Sequence, residues 1–183
     1  MITRAICENA AREIGCDVAV VMAVAVVESS GAGFDKDGRI VVRFEGHKFR
    51  DFTTGRYDSA HPDLSYQYSQ IKKRKHGRAE FNRAFELDKK AAMMATSWGL
   101  FQIMGFNYAG CGFKSVDDFV AFNSESESNQ ITCMVRLMVK FGLRKALIAK
   151  DWYKIALVWN GQDAVKLNNY PAKLAAAYDN IVE

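Results

Sequence analysis

The chain has 183 residues, with 25 Lys and Arg against 21 Asp and Glu, for a formal net charge of +4. At about 150 residues per domain, that length fits one domain with room for a core. An apolar share of 49% beside 25% charged residues excludes wholesale disorder, and only two prolines, Pro62 and Pro171, disfavour a turn-dense all-β fold.

Ile2 to Ile14 has helical spacing and stops at Gly15, a residue type favoured just past a helix end. Asp17 is placed to cap a second helix running to about Glu28. Its Val18 to Val27 stretch is an unbroken apolar run, too short for a bilayer, which takes about 20 residues. Its length suits a signal-peptide core. However, the preceding segment carries Arg4 and Arg12 against Glu8, Glu13 and Asp17, where a positive region is required. The expectation is a helix buried on all sides and no cleaved signal.

A break at Ser29-Ser-Gly-Ala-Gly33 leads to Asp37-Gly38, a tight-turn signal, and to Arg39-Ile-Val-Val-Arg-Phe-Glu45, rich in strand formers. One small hairpin is predicted. Residues 50–78 are polar and aperiodic and read as irregular. They hold five of the positive charges in Ile71-Lys-Lys-Arg-Lys-His-Gly-Arg78; without those five the balance is 20 against 21.

Helical spacing returns from Ala79 to Ala95, and short helical pieces are predicted through Leu100–Met104. Ser115-Val-Asp-Asp118 and Ser124-Glu-Ser-Glu127 look like helix starts, each with an acid three residues after a serine. The second opens a helix ending near Gly142. Asp151 to Asn160 and Asn169 to Val182 complete the set. Cys7, Cys16, Cys111 and Cys133 show no CxxC pair and no zinc-like His spacing, so packing thiols are expected, not disulfides or a zinc site. The fold class is mainly α with one small β-hairpin.

Glu28 breaks the local pattern. It ends an apolar decapeptide, and its neighbours at helical spacing are Ala25, Val24 and Val21. Desolvation there favours the protonated carboxyl, the state a general acid needs. The bland alternative is a solvated helix-end acid, but a helix C-terminus disfavours a negative charge. Glu45, followed by Gly46-His47, is either an edge-strand acid or the second of two carboxylates, the pair that glycoside hydrolysis uses. Asp35 and Asp37 are alternatives for that second role, although turn formation explains both.

Val27-Glu28-Ser29, Ser97-Trp-Gly-Leu-Phe-Gln102-Ile-Met and Trp159-Asn160-Gly161 resemble the three motifs of goose-type lysozymes and lytic transglycosylases. The longer pattern is more specific: Glu28-Ser-x-Gly-x-Gly-Phe34, Phe44-Glu-Gly-His-Lys-Phe49, Ser97 to Gly105, and Asp151-Trp with Trp159-Asn-Gly161 and Tyr170. It resembles the N-acetylmuramidase family of bacteriophage endolysins over about residues 5–180. The resemblance implies a lysozyme-like fold and cleavage of the β-1,4 bond between N-acetylmuramic acid and N-acetylglucosamine. The family's two essential glutamates fall on Glu28 and Glu45. The expected organisation is a single catalytic domain over 1–183, without the separate wall-binding module that many members carry.

The remaining motif residues are substrate-binding candidates. Ser97 and Gln102 offer hydroxyl and amide groups for N-acetyl and hydroxyl contacts; Trp98 and Phe101 are sugar platforms or core. Asn160 orients Glu28 or the glycan, or caps its helix, and Tyr170 closes the motif. Trp159 stands where the family commonly has Tyr, which puts a hydroxyl contact there in doubt. His47, two residues from Glu45, would share its face on a strand and reads as structural. The Lys72–Arg78 run is a solvated loop or an attractor for an anionic wall or outer-membrane surface. Lacking interleaved aromatics or a recognition helix, it does not point to nucleic acid.

The expected partner is the glycan strand of bacterial peptidoglycan, met by a monomer without membrane insertion, cofactor or metal. The protein would be made in the host cytoplasm and act on the periplasmic wall. Two alternatives remain: a lytic transglycosylase giving 1,6-anhydro products, and a non-catalytic glycan-binding module.

Overall fold

A computed structural model of the protein describes residues 2–29 and 31–183. Ser30, within the expected break, lies outside the described residues. The chain forms two compact units, Met1–Ala32 with Ser126–Glu183, and Gly33–Glu125.

The chain begins in the first unit with α1 (Arg4–Ile14) and α2 (Val18–Glu28). Gly15, at φ 73°, closes α1 in the left-handed conformation that glycine adopts without a Cβ penalty. Asp17 caps α2, its Oδ1 accepting from the Ala19 N–H at 2.9 Å. Valines cost up to about 0.7 kcal/mol each in a helix, but burying one contributes about 1.5–3 kcal/mol. Packing therefore decides. Val18, Val20, Val21 and Val24 are all buried. The expectation of burial on every side fails at Met22, which is half-buried, and in the last turn, where Val26 is 48% exposed.

The second unit opens with the predicted turn. Phe34 and Ile40 form a bridge across it, and the Val41 N–H donates to the Gly33 carbonyl at 2.9 Å. Here the structure corrects the sequence reading. The strand β1 (Val42–Phe44) takes its ladder partner from far along the chain, not from its own hairpin. It is followed directly by a helix that the aperiodic sequence hid, α3 (Gly46–Thr53). After turns and a short 3₁₀ segment at Tyr68–Lys73 come α4 (Arg78–Leu87) and α5 (Lys89–Met94). The single helix expected over 79–95 is split at Asp88, whose φ of −154° is extended and whose side chain caps α5 through the Ala91 N–H.

Residues expected as short helical pieces are strands instead, β2 (Thr96–Trp98) and β3 (Ile103–Met104). The antiparallel sheet runs β1-β2-β3, pairing Val42 with Trp98, Arg43 with Ser97, Phe44 with Thr96, Ser97 with Met104, and Trp98 with Ile103. The last helix here is α6 (Val116–Asn123), capped by Ser115 as its sequence predicts.

The chain then returns to the first unit with α7 (Glu127–Lys140). Its cap is Ser126, not Ser124; the Ser124 hydroxyl donates back to Val120 and ends α6. Next come α8 (Arg144–Ala149), α9 (Trp152–Asn160), α10 (Gln162–Asn168) and α11 (Tyr170–Val182). α8 and α10 were not foreseen. α2 packs against α1, α8 and α11, and Arg136 on α7 holds Glu13 on α1 through two hydrogen bonds at 2.7 and 3.0 Å. None of the four cysteines forms a disulfide; Cys7, Cys111 and Cys133 are buried, and burial raises the Cys7 thiol pKa to about 11.

Candidate active site

Glu28 is the last residue of α2 and half-buried. No basic side chain sits in that last turn to offset the negative end of the helix dipole. Desolvation raises the carboxyl above the usual range, and donors from Asn160, Tyr170 and Trp159 pull it partly back. The Asn160 amide Nδ2 donates to Oε1 at 2.9 Å. Gly161, at φ 82°, ends α9, so the Asn160 side chain is committed to Glu28 and not to capping. Tyr170 opens α11, and its hydroxyl lies 3.4 Å from the Val27 carbonyl. Burial and the neighbouring Glu28 charge push the Tyr170 phenol up. Trp159 is the third side chain whose donor reaches the Glu28 carboxyl, through its indole N–H.

Strand alternation organises the surroundings of Glu45. Residues directly opposed across a ladder, and those two apart on one strand, share a face. Arg43 and its partner Ser97 are on one face, with Met104 opposite Ser97. Phe44, Thr96, Trp98 and Ile103 are on the other, and all are buried. Glu45 follows two residues after Arg43, and Arg43 Nε meets its Oε1 at 2.7 Å. Gly46 must be glycine, since a Cβ there would stand 2.6 Å from the Leu64 carbonyl and collide with the Tyr66 ring.

Glu45 is 8% exposed. Its backbone caps α3, its carbonyl accepting from Lys48 and Phe49, while its side chain turns away to Arg43. Oε2 is buried without a hydrogen-bond partner among the described residues, flanked by His47 Nδ1 and His76 Nδ1, each at 3.6 Å. His47 is on α3 and not on a strand, which corrects the expected face-sharing. Burial lowers its pKa and favours the neutral ring.

The other candidates sort by face. The Ser97 hydroxyl contacts Met104 Sδ at 2.9 Å. Trp98, 3% exposed, packs edge-on against Phe81 and donates its indole N–H to the Met93 carbonyl at 3.1 Å. Once Ser97 lies on the Arg43 face, β alternation turns Trp98 inward, so it takes the core role of its two readings. Gln102 has a left-handed backbone, φ 50°, and its amide donates to Gly99 at 2.8 Å, closing the β2–β3 turn. Asp35 accepts from the Arg39 and Asp37 backbone N–H groups at 3.0 Å, and these bonds, the Arg39 one foremost and helped by the Arg39 guanidinium, hold its carboxyl below the usual range. Turn formation accounts for Asp35, and Asp37 pairs with Arg39 at 2.7 Å.

The profile of the family described as Muramidase, N-acetylmuramidase, matches residues 17–182, spanning Glu28 to Tyr170. The chain belongs to the N-acetylmuramidase family. That makes it a glycosidase that cleaves peptidoglycan. Among solved structures it is similar to the crystal structure of a Burkholderia AP3 phage endolysin, at 34% identity and a TM-score of 0.85. The alignment covers 98% of this chain and 71% of that one. No curated protein matches. The lysozyme-like, mainly helical fold read from the sequence is therefore the observed one.

Two muramidase residues escaped sequence reasoning. Arg43 looked like an ordinary strand charge, and only the period-2 relation to Glu45 marked it. His76 was hidden in a basic run and brought beside Glu45 by chain folding that no local pattern announces. Among the described residues, no group of three His, Cys, Asp or Glu side chains is arranged to hold a metal ion.

Proposed function

We propose that this muramidase hydrolyses the β-1,4 bond between N-acetylmuramic acid and N-acetylglucosamine, with Glu28 as general acid and Glu45 as the second carboxylate. The observation that supports it most is the Glu28 environment. A desolvated carboxyl at a helix C-terminus retains its proton to higher pH, and an acid must hold that proton until the glycosidic oxygen accepts it. Asn160 fixes the carboxyl's orientation. Glu45, buried and paired with Arg43, then activates water or stabilises the oxocarbenium-like transition state. Ser97, Gln102, Asn160 and Tyr170 contribute glycan contacts, and residues 1–183 act as one catalytic domain.

The likeness to a phage endolysin supports action on a bacterial wall at the end of infection, with the periplasmic glycan strand as substrate. Among the described residues no helix is long and apolar enough to cross a membrane. The test combines turbidity of wall-exposed bacteria with mass spectrometry of the digest. Clearing with reducing muramic acid ends supports hydrolysis. Anhydro ends would indicate a lytic transglycosylase, and binding without clearing a glycan-binding module.

A further inference from the structure

His76 grips the residue immediately before Glu45. Its backbone carbonyl accepts from the Phe44 N–H at 2.8 Å, and its ring Nδ1 lies 3.0 Å from the Phe44 carbonyl. The other ring nitrogen, Nε2, lies 3.1 Å from the Ile71 carbonyl. A carbonyl only accepts, and a neutral imidazole has one N–H to give. Both contacts are satisfied together only when both ring nitrogens carry protons. The same Nδ1 stands 3.6 Å from Glu45 Oε2, the buried oxygen with no hydrogen-bond partner.

We propose that His76 is a positioning residue for Glu45, acting as an imidazolium that pins the chain at Phe44 and sets a fixed positive charge beside Oε2. The proposal rests on the reading of Glu45 as the second carboxylate. The neighbours do not supply this charge. Arg43 is engaged at Oε1, the other oxygen of the carboxylate. His47 is equally near, yet its burial favours the neutral ring. The groups facing His76 are Arg43 and Glu45 from the strand, and His47 from α3 with Lys48 and Asp51 beyond it. On its own segment Arg74, Lys75 and Arg78 are nearest in sequence; Arg74 is turned to the Tyr66 ring and Gln70, and Arg78 to the Ile40 carbonyl.

The test uses the full chain. Nitrogen NMR of the His76 ring in the active enzyme should show an N–H on each nitrogen, one donating to the Phe44 carbonyl and the other to the Ile71 carbonyl. His76→Gln, which keeps a donor but no charge, should lower kcat on soluble glycan strands by about 10- to 100-fold with KM nearly unchanged. His76→Arg, which restores charge and two donors, should recover most of the loss. A neutral His76 ring in the wild type overturns the proposal, even if His76→Gln fails to fold. So does a folded His76→Gln with wild-type kcat while Glu45→Gln is inactive. Full activity of Glu45→Gln overturns the Glu45 reading itself, and the proposal with it.

Discussion

The Asn160 amide donates to Glu28 Oε1 at 2.9 Å, joining the last residue of α9 to the last residue of α2. The carboxyl sits at the negative end of its own helix dipole, and the amide is foremost among the side-chain donors favouring its ionised form. Asn160→Ala removes a donor to the anion, so the Glu28 pKa rises further. The alkaline limb of kcat/KM should move to higher pH, while the rate at the optimum falls about 10- to 100-fold as the acid loses its aim. A pH–rate profile measures both. An unmoved alkaline limb would show that the amide does not act on the titrating acid.

Glu28→Gln should abolish lysis, with a loss of about 10²–10⁴-fold or more, because a near-isosteric amide has no proton of useful acidity. Its effect on stability has the opposite sign. The folded-state pKa of Glu28 is raised, so its favourable contribution is complete at low pH and is lost as pH rises through the folded value. The variant should therefore melt above the wild type at pH 8, and the gap should close towards pH 4. Thermal melts at the two pH values check this, and a variant that melts lower at pH 8 contradicts the desolvation argument.

The two acids were legible in the sequence for different reasons. Glu28 stood out because it ends ten apolar residues, and a desolvated helix-end acid is what the fold supplies. Glu45 needed the family motif, since the His76 ring beside its Oε2 is distant in sequence. Caps that act locally, such as Asp17 and Ser115, could be read directly. The sheet could not. Thr96–Trp98 and Ile103–Met104 are too short for a period to show; the first is drawn into a strand by pairing with Val42–Phe44 more than fifty residues away, and the second then pairs with the first. The helix over Gly46–Thr53 was missed for a related reason: its buried Phe49 and Thr53 are read as a face only when the strand is known to stop at Phe44.

The basic run lines a cavity of ≈ 280 Å³ with Asp63, Lys73, Arg74, Lys75, Glu80 and Arg83. Asp63 is held by Arg83, and Glu80 caps the Gly77 N–H, so both acids in its wall are already engaged. Arg74 stacks on Tyr66 and bonds Gln70, which gives it a structural task. The informative variant therefore keeps Arg74 and neutralises Lys72, Lys73 and Lys75 to Gln. Binding to intact walls should weaken several-fold at low salt and lose most of its salt dependence, since exposed charges act over about 8 Å at physiological ionic strength. Cleavage of short soluble oligosaccharides should stay within about twofold. Wall pull-down across a salt series reads this, and an unchanged slope would leave the run as a solvated loop.

The products depend on Glu45. A lytic transglycosylase needs one acid, because the substrate's own 6-hydroxyl attacks and leaves a 1,6-anhydro end. A hydrolase must bring in water, which requires a base or nucleophile in addition to the acid. Glu45 suits that task physically. It is buried, so its charge is poorly screened; its Oε1 is fixed by Arg43; and its Oε2 has no hydrogen-bond partner among the described residues to compete for a water proton. Mass spectrometry of digested peptidoglycan should show muropeptides ending in reducing muramic acid. Glu45→Gln should lose nearly all of them, about 10²-fold or more, while still binding the glycan. Arg43→Gln, which frees the carboxylate without removing it, should retain the same products at a reduced rate. Predominantly anhydro ends, unchanged in Glu45→Gln, would make the enzyme a transglycosylase and leave Glu45 as the cap of α3.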